Sequence, residues 1–427
     1  MANRYWVGGS GTWNTSSTTN WSTTSGGAGG ASVPTSADAV IINGSSGSPT
    51  ITLTGALNCA SLDTTGATCT LTSTGTLACA GNFTLSTTTT ATFWSGALTI
   101  TGTSTVTPNG RTLNNDLIIN ATGFTVTLAG NSIFGQGAAN SVTLTNGTLN
   151  LNNFSLTCNS FLSNNSNTRA IQFGTSGSIN VNPTTVGNFY INSTGFSYTG
   201  TSLITVTTSS SGLNPSISIT SSISGGLNFT LNSFGGTYSE ASGNVYNNLI
   251  VSNGTLGNSS RIIYGNFNTG TGCTLSSGSA LTVFAATAGT QTITPNGKIY
   301  DFPIVFGTGS GTATYSVSGA FSSGASRTLT FNNGTLQFTS STTNTVGSFT
   351  TGTSVLKYLT SSSSGTQSTI SQASGIVNAT YLSVKDSNAT GGATWNAPIA
   401  SSNVDAGNNT GWSFANPTST GNYYLIF

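Results

Sequence analysis

The residues that could do acid–base chemistry are few and widely spaced in this sequence of 427 residues. Histidine is absent, and the nearest two acids, Asp386 and Asp405, are 19 residues apart. Hydrolysis of a glycosidic bond needs two carboxylates that face each other across the bond, and only stacked coils could bring such distant residues together. This small supply makes a polysaccharide-degrading activity the least favoured function. The seven acids are Asp38, Asp63, Asp116, Glu240, Asp301, Asp386 and Asp405.

Asp386 is the most suggestive of these acids because Lys385 precedes it. A simpler interpretation is a local ion pair, or an Asx turn ahead of Gly391 and Gly392. The sequence therefore predicts no catalytic residue, and we expect a protein that is not an enzyme.

The cysteines also indicate structure rather than chemistry. Cys59, Cys69 and Cys79 each stand in a run of alternating apolar residues, which predicts reduced, buried side chains. The sequence contains no CxxC pair, and the Asp-bearing nonapeptides of calcium-binding solenoids are missing. The glycine clusters lack a phosphate-binding pattern. We expect neither a metal site nor a cofactor.

The charge of the chain excludes several partners. Only 4% of the residues are charged and the net charge is +1, whereas nucleic acids and anionic membranes are bound through clustered Lys and Arg. No stretch approaches the roughly 20 apolar residues of a membrane helix. The first residues also lack the apolar core of a signal peptide. These features predict no nucleic-acid binding, no membrane insertion and folding in the cytoplasm where the chain is made.

Short alternating runs indicate an all-β protein. Leu57, Cys59 and Ser61 are predicted to point inward, and Leu77 and Cys79 repeat the pattern 20 residues later. Regular short strands with Gly and Asn turns are typical of stacked coils that share one core. We therefore predict a parallel β-helix (β-solenoid) with capping segments at both ends. The alternative is a string of tandem β-sandwich domains, for which Pro108-Asn109-Gly110 would supply hairpin turns. The residues predicted to form one continuous core are Leu57, Cys59, Leu77, Cys79, Phe83, Leu113, Leu117, Leu149 and Leu151.

An internal duplication organises the middle of the chain. The sequence TVTPNGR at residues 105–111 returns as TITPNGK at 292–298, and NGTL at 146–149 returns at 333–336 with the same offset of 187 residues. We predict three segments: a Trp-rich N-terminal cap or attachment segment at 1–45, a solenoid at 46–375 in which about 81–160 is repeated at about 265–347, and a C-terminal capping coil with an apolar tail at 376–427.

The two ends carry the aromatic residues expected to seal the stack. Trp6, Trp13 and Trp21 are predicted to cover one open end of the core, and the alternative for them is stacking on a sugar ring. The same tryptophans and the last five residues are candidate contacts with a partner or in assembly. An exposed apolar strand invites pairing with another chain. These terminal residues are Tyr423, Tyr424, Leu425, Ile426 and Phe427.

The termini also resemble those of a known group of proteins. The stretch RYWVGGSGTWN (residues 4–14), with NWSTTSGGAGG (20–30), resembles the start of a family of repetitive β-rich proteins found in phage and metagenomic sequences. The stretch YLSVKDSNATGGATW (381–395), with NTGW (409–412), is similar to the C-terminal signature of that family. The resemblance implies a virion-associated or surface-displayed solenoid and brings no catalytic residues with it.

The sequence therefore supports two candidate functions. The first is a structural component of a phage virion, a fibre, spike or decoration protein that contacts other virion proteins as a homo-oligomer, preferably a trimer, by analogy with elongated phage fibres. The second is a bacterial surface adhesin that binds host-surface glycans through rows of Thr, Asn and aromatic side chains. Export separates them, because an adhesin needs a secretion signal. The first function, with assembly in the host cytoplasm, is preferred, and a polysaccharide-degrading tailspike is less favoured than either.

Overall fold

The computed structural model describes residues 1–94, 96–136, 140–183, 187–208, 215–219 and 226–416, with only the backbone for residues 91–94 and 234. This part of the chain is almost entirely β-structure, with two short 3-10 helices at Gly44–Ser46 and Ile399–Ser401. No helix among these residues is long and apolar enough to span a membrane. The chain divides into two compact units, Met1–Asn244 and Val245–Phe427, and this boundary falls inside the predicted solenoid segment 46–375.

The strands are short, and most have two to five residues. Those of the first unit are β1 Ala2–Trp6, β2 Gly11–Trp13, β3 Trp21–Ser22, β4 Asp38–Ile41, β5 Thr50–Leu53, β6 Ala56–Cys59, β7 Ser61–Asp63, β8 Thr70–Ser73, β9 Thr76–Cys79, β10 Phe83–Thr84, β11 Thr90–Trp94, β12 Leu98–Ile100, β13 Ser104–Thr107, β14 Thr112–Leu113, β15 Leu117–Leu128, β16 Ser132–Phe134, β17 Val142–Asn150, β18 Ser155–Cys158, β19 Phe161–Ser163, β20 Arg169–Gln172, β21 Ser178–Val181, β22 Asn188–Ile191, β23 Phe196–Thr199, β24 Ile204–Thr208, β25 Ser216–Ile219 and β26 Leu227–Glu240.

Strand β27 begins at the last residue of the first unit, and the strands after it belong to the second unit. They are β27 Asn244–Leu256, β28 Arg261–Ile263, β29 Phe267–Leu275, β30 Thr282–Phe284, β31 Thr290–Thr294, β32 Ile299–Tyr300, β33 Ile304–Phe306, β34 Thr314–Val317, β35 Ser322–Ser323, β36 Thr328–Phe331, β37 Thr335–Phe338, β38 Thr343–Val346, β39 Ser348–Thr351, β40 Lys357–Ser361, β41 Ser368–Gln372, β42 Ile376–Asn378, β43 Leu382–Val384, β44 Ser387–Thr390, β45 Thr394–Asn396, β46 Val404–Asp405 and β47 Trp412–Ser413.

Apart from the antiparallel pair of β1 with β3, the strand pairs of the described chain are parallel and join equivalent strands of successive coils, which confirms the predicted β-solenoid. Leu57 pairs with Leu77, Leu77 with Leu98, and Leu98 with Leu117, so one column of leucines runs through four successive coils. The predicted 20-residue step from Leu57 to Leu77 is thus one coil. The alternative of tandem β-sandwiches is wrong, because the turn at Pro108 joins β13 to β14 within one coil, and β13 pairs with β10 and β15 instead.

The predicted core is confirmed residue by residue. All nine predicted side chains are buried, and the most exposed of them, Leu57, is 3% exposed. Stacking removes the apolar face of each coil from water, which stabilises the fold by about 25 cal/mol per Å² of buried apolar surface. The prediction that Ser61 points inward is wrong. Ser61 is half-buried, whereas Ala60 and Leu62 on either side of it are buried. The chain turns a corner at Ala60, and the inward phase of the alternation shifts there by one residue.

The two copies of the duplicated sequence lie one in each unit and adopt the same turn. Asn109 and Gly110 have φ angles of 49° and 75°, and Asn296 and Gly297 have 47° and 74°. Asn and Gly are the residues that tolerate this left-handed backbone. The duplication is therefore one of conformation as well as of sequence.

Aromatic clusters lie near both ends of the described chain. Trp21 packs edge-on against Trp6 at 5.1 Å and Trp13 at 5.3 Å, and all three rings are buried within their own unit. In the second unit Trp395 packs against Trp412 at 5.0 Å. The predicted terminal contacts Tyr423, Tyr424, Leu425, Ile426 and Phe427 lie outside the described residues.

Candidate functional site

The acidic residue nearest the N-terminus acts as a structural tie. Asp38 Oδ2 accepts hydrogen bonds from the Thr35 backbone N–H at 2.9 Å and the Thr35 hydroxyl at 2.7 Å, and its Oδ1 lies 3.7 Å from Arg4 Nη2. Burial disfavours the charged carboxylate, but the hydrogen bonds from Thr35 and the charge of Arg4 outweigh it, so the pKa of Asp38 lies below its ordinary value. This carboxylate is engaged in holding the loop before β4.

Three further acids also have hydrogen-bond or ion-pair partners. Asp116 Oδ1 accepts from the backbone N–H of Ser141 at 2.7 Å, which joins neighbouring coils. Asp301 Oδ1 forms an ion pair with Arg327 Nε at 2.6 Å. Asp63 is exposed and receives the backbone N–H of Thr65 at 2.8 Å.

The fold brings Asp386 and Asp405 onto neighbouring coils, because Val384 pairs with Asp405. Asp386 is 2% exposed, and its Oδ1 accepts from Asn408 Nδ2 at 2.7 Å. Asp405 Oδ1 accepts from Asn409 Nδ2, also at 2.7 Å. Two successive amides of one loop therefore hold the two carboxylates. Asp386 also has a left-handed φ of 55°, and Lys385 beside it is exposed.

A cleft of about 320 Å³ on the first unit contains Glu240. Glu240 pairs with Ile217 and continues an inward column that includes Phe189, and it is 8% exposed. It is the one carboxylate among the residues that line this cleft, whereas glycoside hydrolysis uses two. The lining residues are Asn164, Tyr190, Ser216, Ile217, Ser218, Ser239, Glu240 and Ala241.

A buried arginine is a feature that the sequence analysis missed. Arg169 is 1% exposed, and its guanidinium lies 5.7 Å from the centre of the Phe196 ring. The guanidinium donates to the Ser163 hydroxyl at 2.6 Å, and to the backbone carbonyls of Ser163, Asn167, Asn192 and Thr194. This single side chain ties several loop segments together through polar atoms that would otherwise be buried without partners.

Arg261 and Lys357 occupy similar inward positions in the second unit. Lys357 is fully buried, and its Nζ donates to the carbonyls of Thr353 at 2.8 Å and Thr380 at 3.3 Å. Burial lowers the pKa of Lys357 to about 8. The signal for such residues was present in the sequence, because Lys357 stands two residues before the buried Leu359, in the inward phase of its strand.

The five thiols are free and buried. Cys59 and Cys79 are in-register neighbours on β6 and β9. A hydrogen bond with Cys79, together with burial, raises the pKa of Cys59, and burial alone raises that of Cys158. A thiol that stays protonated is a poor nucleophile and a poor metal ligand. No group of three or more His, Cys, Asp or Glu side chains that could hold a metal ion occurs within the described ranges.

The outer faces carry uncharged hydrogen-bonding columns. One column, which we call the amide column, has successive members paired in register on five strands of the first unit, and its side chains are exposed or half-exposed. Hydroxyl and amide groups in this arrangement can bind a polar partner, but they offer no acid, base or nucleophile for group transfer. The members of the amide column are Thr105, Thr127, Asn150, Gln172 and Thr199.

Comparisons of the chain with protein-family models, with curated proteins and with solved structures found no match.

Proposed function

We propose that this protein is a non-enzymatic structural component of a phage virion, a fibre, spike or decoration protein used for projection, attachment or assembly. The observation that carries the proposal is the use of the charged groups. Asp38, Asp301 and Asp386 tie loops together, and Arg169 and Lys357 are buried among carbonyl groups. These ionisable side chains therefore stabilise the stacked coils, as a rigid spacer or cover requires.

The resemblance of the terminal sequences to those of repetitive β-rich proteins in phage and metagenomic sequences also supports the proposal, because it implies a virion-associated or surface-displayed solenoid. Trp6, Trp13 and Trp21 are buried within their own unit, so a partner or a sugar would meet the residues around them and not their ring faces. The apolar tail of Tyr423, Tyr424, Leu425, Ile426 and Phe427 is the proposed assembly contact. Its partners are other virion proteins or identical chains, with a homotrimer preferred.

The deciding experiment is to locate the protein in particles. Virions purified on a density gradient are analysed by mass spectrometry and by immunogold electron microscopy with an antibody against the chain. The expected result is labelling of intact particles at a stoichiometric copy number. Absence of the protein from purified particles, with recovery from the bacterial outer surface, contradicts the proposal.

Assembly is tested with a chain that lacks residues 423–427. We expect this chain to remain folded by circular dichroism, to sediment as a smaller species than the full chain and to be lost from particles. Identical sedimentation and normal incorporation of both chains would show that the tail makes no intermolecular contact.

Enzymatic activity is tested on host-surface polysaccharide. The chain length of the polysaccharide is expected to stay unchanged after incubation with the purified protein. Cleavage that is lost in Asp301→Asn or Asp386→Asn would favour a polysaccharide-degrading tailspike over our proposal.

The second candidate is a carbohydrate-binding adhesin of the bacterial surface, and the amide column favours it. Asn150 and Gln172 can donate to and accept from sugar hydroxyls, and their register repeats the contact from coil to coil. Binding of host glycans that is weakened in Gln172→Ala, together with recovery of the protein from the cell surface, would support this candidate.

A further inference from the structure

One sheet of the first unit carries threonine at the outward positions of two neighbouring strands. On β5 and the residue that follows it, these are Thr50, Thr52 and Thr54, and on β8 and the residue that follows it they are Thr70, Thr72 and Thr74. The alternate residues Ile51, Leu53, Leu71 and Ser73 are buried beneath them. We call these six threonines, together with Thr12 of β2 and Thr90 of β11, the threonine plane.

The threonine plane is a two-dimensional array because β2, β5 and β8 are in register. Strand β11 continues the array only at Thr90, since its register shifts after that residue and Thr72 pairs with Phe93. Thr50 pairs with Thr70 and Thr70 with Thr90 in one column, and Thr12, Thr52 and Thr72 form the next. Neighbouring parallel strands lie about 4.8 Å apart, and residues i and i+2 on one strand are about 6.7 Å apart. Hydroxyl and methyl groups therefore repeat along two directions at fixed spacings.

Two hydroxyl groups in the middle of the array, those of Thr52 and Thr72, are held in place before any ligand binds. The Thr72 hydroxyl donates to the Thr52 hydroxyl at 3.0 Å, which aligns the two groups along their column. Threonine is branched at Cβ, so its χ1 angle is restricted, and the buried residues below fix the backbone. Little conformational entropy remains to be lost on binding.

The chemistry of the array indicates its ligand. A single sugar ring is bound by a cleft with apolar or aromatic walls and a few convergent polar groups, whereas the threonine plane repeats one small, uncharged side chain. Such an array suits a ligand that is itself a lattice with a repeat in two directions. Hexagonal ice is such a lattice, with rows of oxygen atoms at spacings of the same order. Methyl groups confine the water between the columns, and hydroxyl groups hydrogen-bond it.

We propose that the threonine plane binds the surface of ice. Its hydroxyl groups order a first layer of water, and this layer continues into the crystal face. Water-mediated hydrogen bonds of this kind are nearly as favourable as direct ones, and the array makes many at once. This binding is separate from the proposed virion role, since neither activity requires the other.

The experiment measures inhibition of ice recrystallisation and thermal hysteresis with the full chain. Thr72→Lys places a long charged side chain in the middle of the plane, and Thr12→Lys places one at its edge. The matched control is Thr157→Lys, because Thr157 is a half-buried, outward threonine on β18 whose column neighbours are Ile133 and Asn180. Circular dichroism and thermal unfolding confirm that each variant is folded.

The wild type is expected to inhibit recrystallisation, and Thr72→Lys to raise the concentration required by about tenfold, which corresponds to about 1.4 kcal/mol of binding. Thr157→Lys should match the wild type. If Thr72→Lys does not fold, Thr12→Lys, whose site is exposed, tests the same plane.

Three results overturn the proposal. The first is a wild type without effect on ice, and the second is an equal loss in the plane variant and in Thr157→Lys. The third is binding to insoluble chitin or cellulose that depends on Thr72 without any effect on ice, which would assign the plane to a polysaccharide surface.

Discussion

The side-chain amide of Asn109 donates to the backbone carbonyl of Leu85, one coil earlier, at 2.7 Å. In the second unit Asn296 makes the equivalent bond to Thr269, also at 2.7 Å. Each asparagine thus has two roles: it accepts a left-handed backbone and it ties its turn to the preceding coil. The recurrence of TPNG in the sequence follows from these two requirements.

Substitution of Asn109 separates the two roles. Asn109→Ala should lower the free energy of unfolding by about 2 kcal/mol, because it loses the hydrogen bond and strains the left-handed backbone. Asn109→Gly should lower it by about 1 kcal/mol, because glycine tolerates this backbone and mainly the hydrogen bond is lost. Chemical denaturation measures both, and equal losses in the two variants would contradict a role for the backbone conformation.

The tryptophan cluster is expected to stabilise the N-terminal coils. Trp21 is fully buried between Trp6 and Trp13, so Trp21→Ala should cost about 3 to 5 kcal/mol. Hydrogen exchange should accelerate in β1 to β5 before it does so elsewhere. Trp412→Ala serves as the control, since this half-buried ring belongs to the other unit. Unchanged exchange in β1 to β5 of Trp21→Ala would show that the cluster does not seal the end.

The buried Lys357 is expected to make the free energy of unfolding rise with pH. Its pKa in the folded chain is about 8, whereas an unfolded lysine has a pKa of about 10.4. Below pH 8 both states are protonated and the cost of burying the charge is present in full. Between about pH 8 and 10.4 the unfolded state binds more protons, so the free energy of unfolding increases with pH, by at most roughly 3 kcal/mol.

The measurement is the free energy of unfolding between pH 7 and 10.5 for the wild type and for Lys357→Met. The variant should be more stable than the wild type at pH 7 and should lose most of the rise with pH. Lys385→Met is the control, since Lys385 is exposed, and should keep the rise. A parallel pH dependence in the wild type and Lys357→Met would show that Lys357 does not titrate in this range.

The thiols are expected to be inert in the native state. All five cysteines are buried, and protonated thiols react slowly with disulfide reagents. Labelling with such a reagent should therefore be negligible without denaturant and should reach five thiols per chain in denaturant. Fast labelling of Cys59 or Cys79 in the folded protein, or a disulfide mapped between them, would overturn this expectation.

The sequence by itself determined the inward faces of the strands. Leu57, Cys59, Leu77 and Cys79 alternate with small or polar residues, and this alternation has a period of two in any strand, so it is visible without knowledge of the partners. The turns at TPNG were also local, since the need for a left-handed residue is met by Asn and Gly at the same positions. The buried tryptophans were predicted for a similar reason, because large aromatic rings are stable only where they are covered.

The tertiary structure alone decided which residues became neighbours. Successive coils differ in length, for example 18 residues between Leu249 and Phe267 and 28 between Phe161 and Phe189, and corners such as Ala60 shift the inward phase. The pairing of Val384 with Asp405 and the alignment of Thr52 with Thr72 both depend on these lengths. The register between neighbouring coils depends on the length of every strand and corner in a coil. The alternation within a strand depends on only a few adjacent residues.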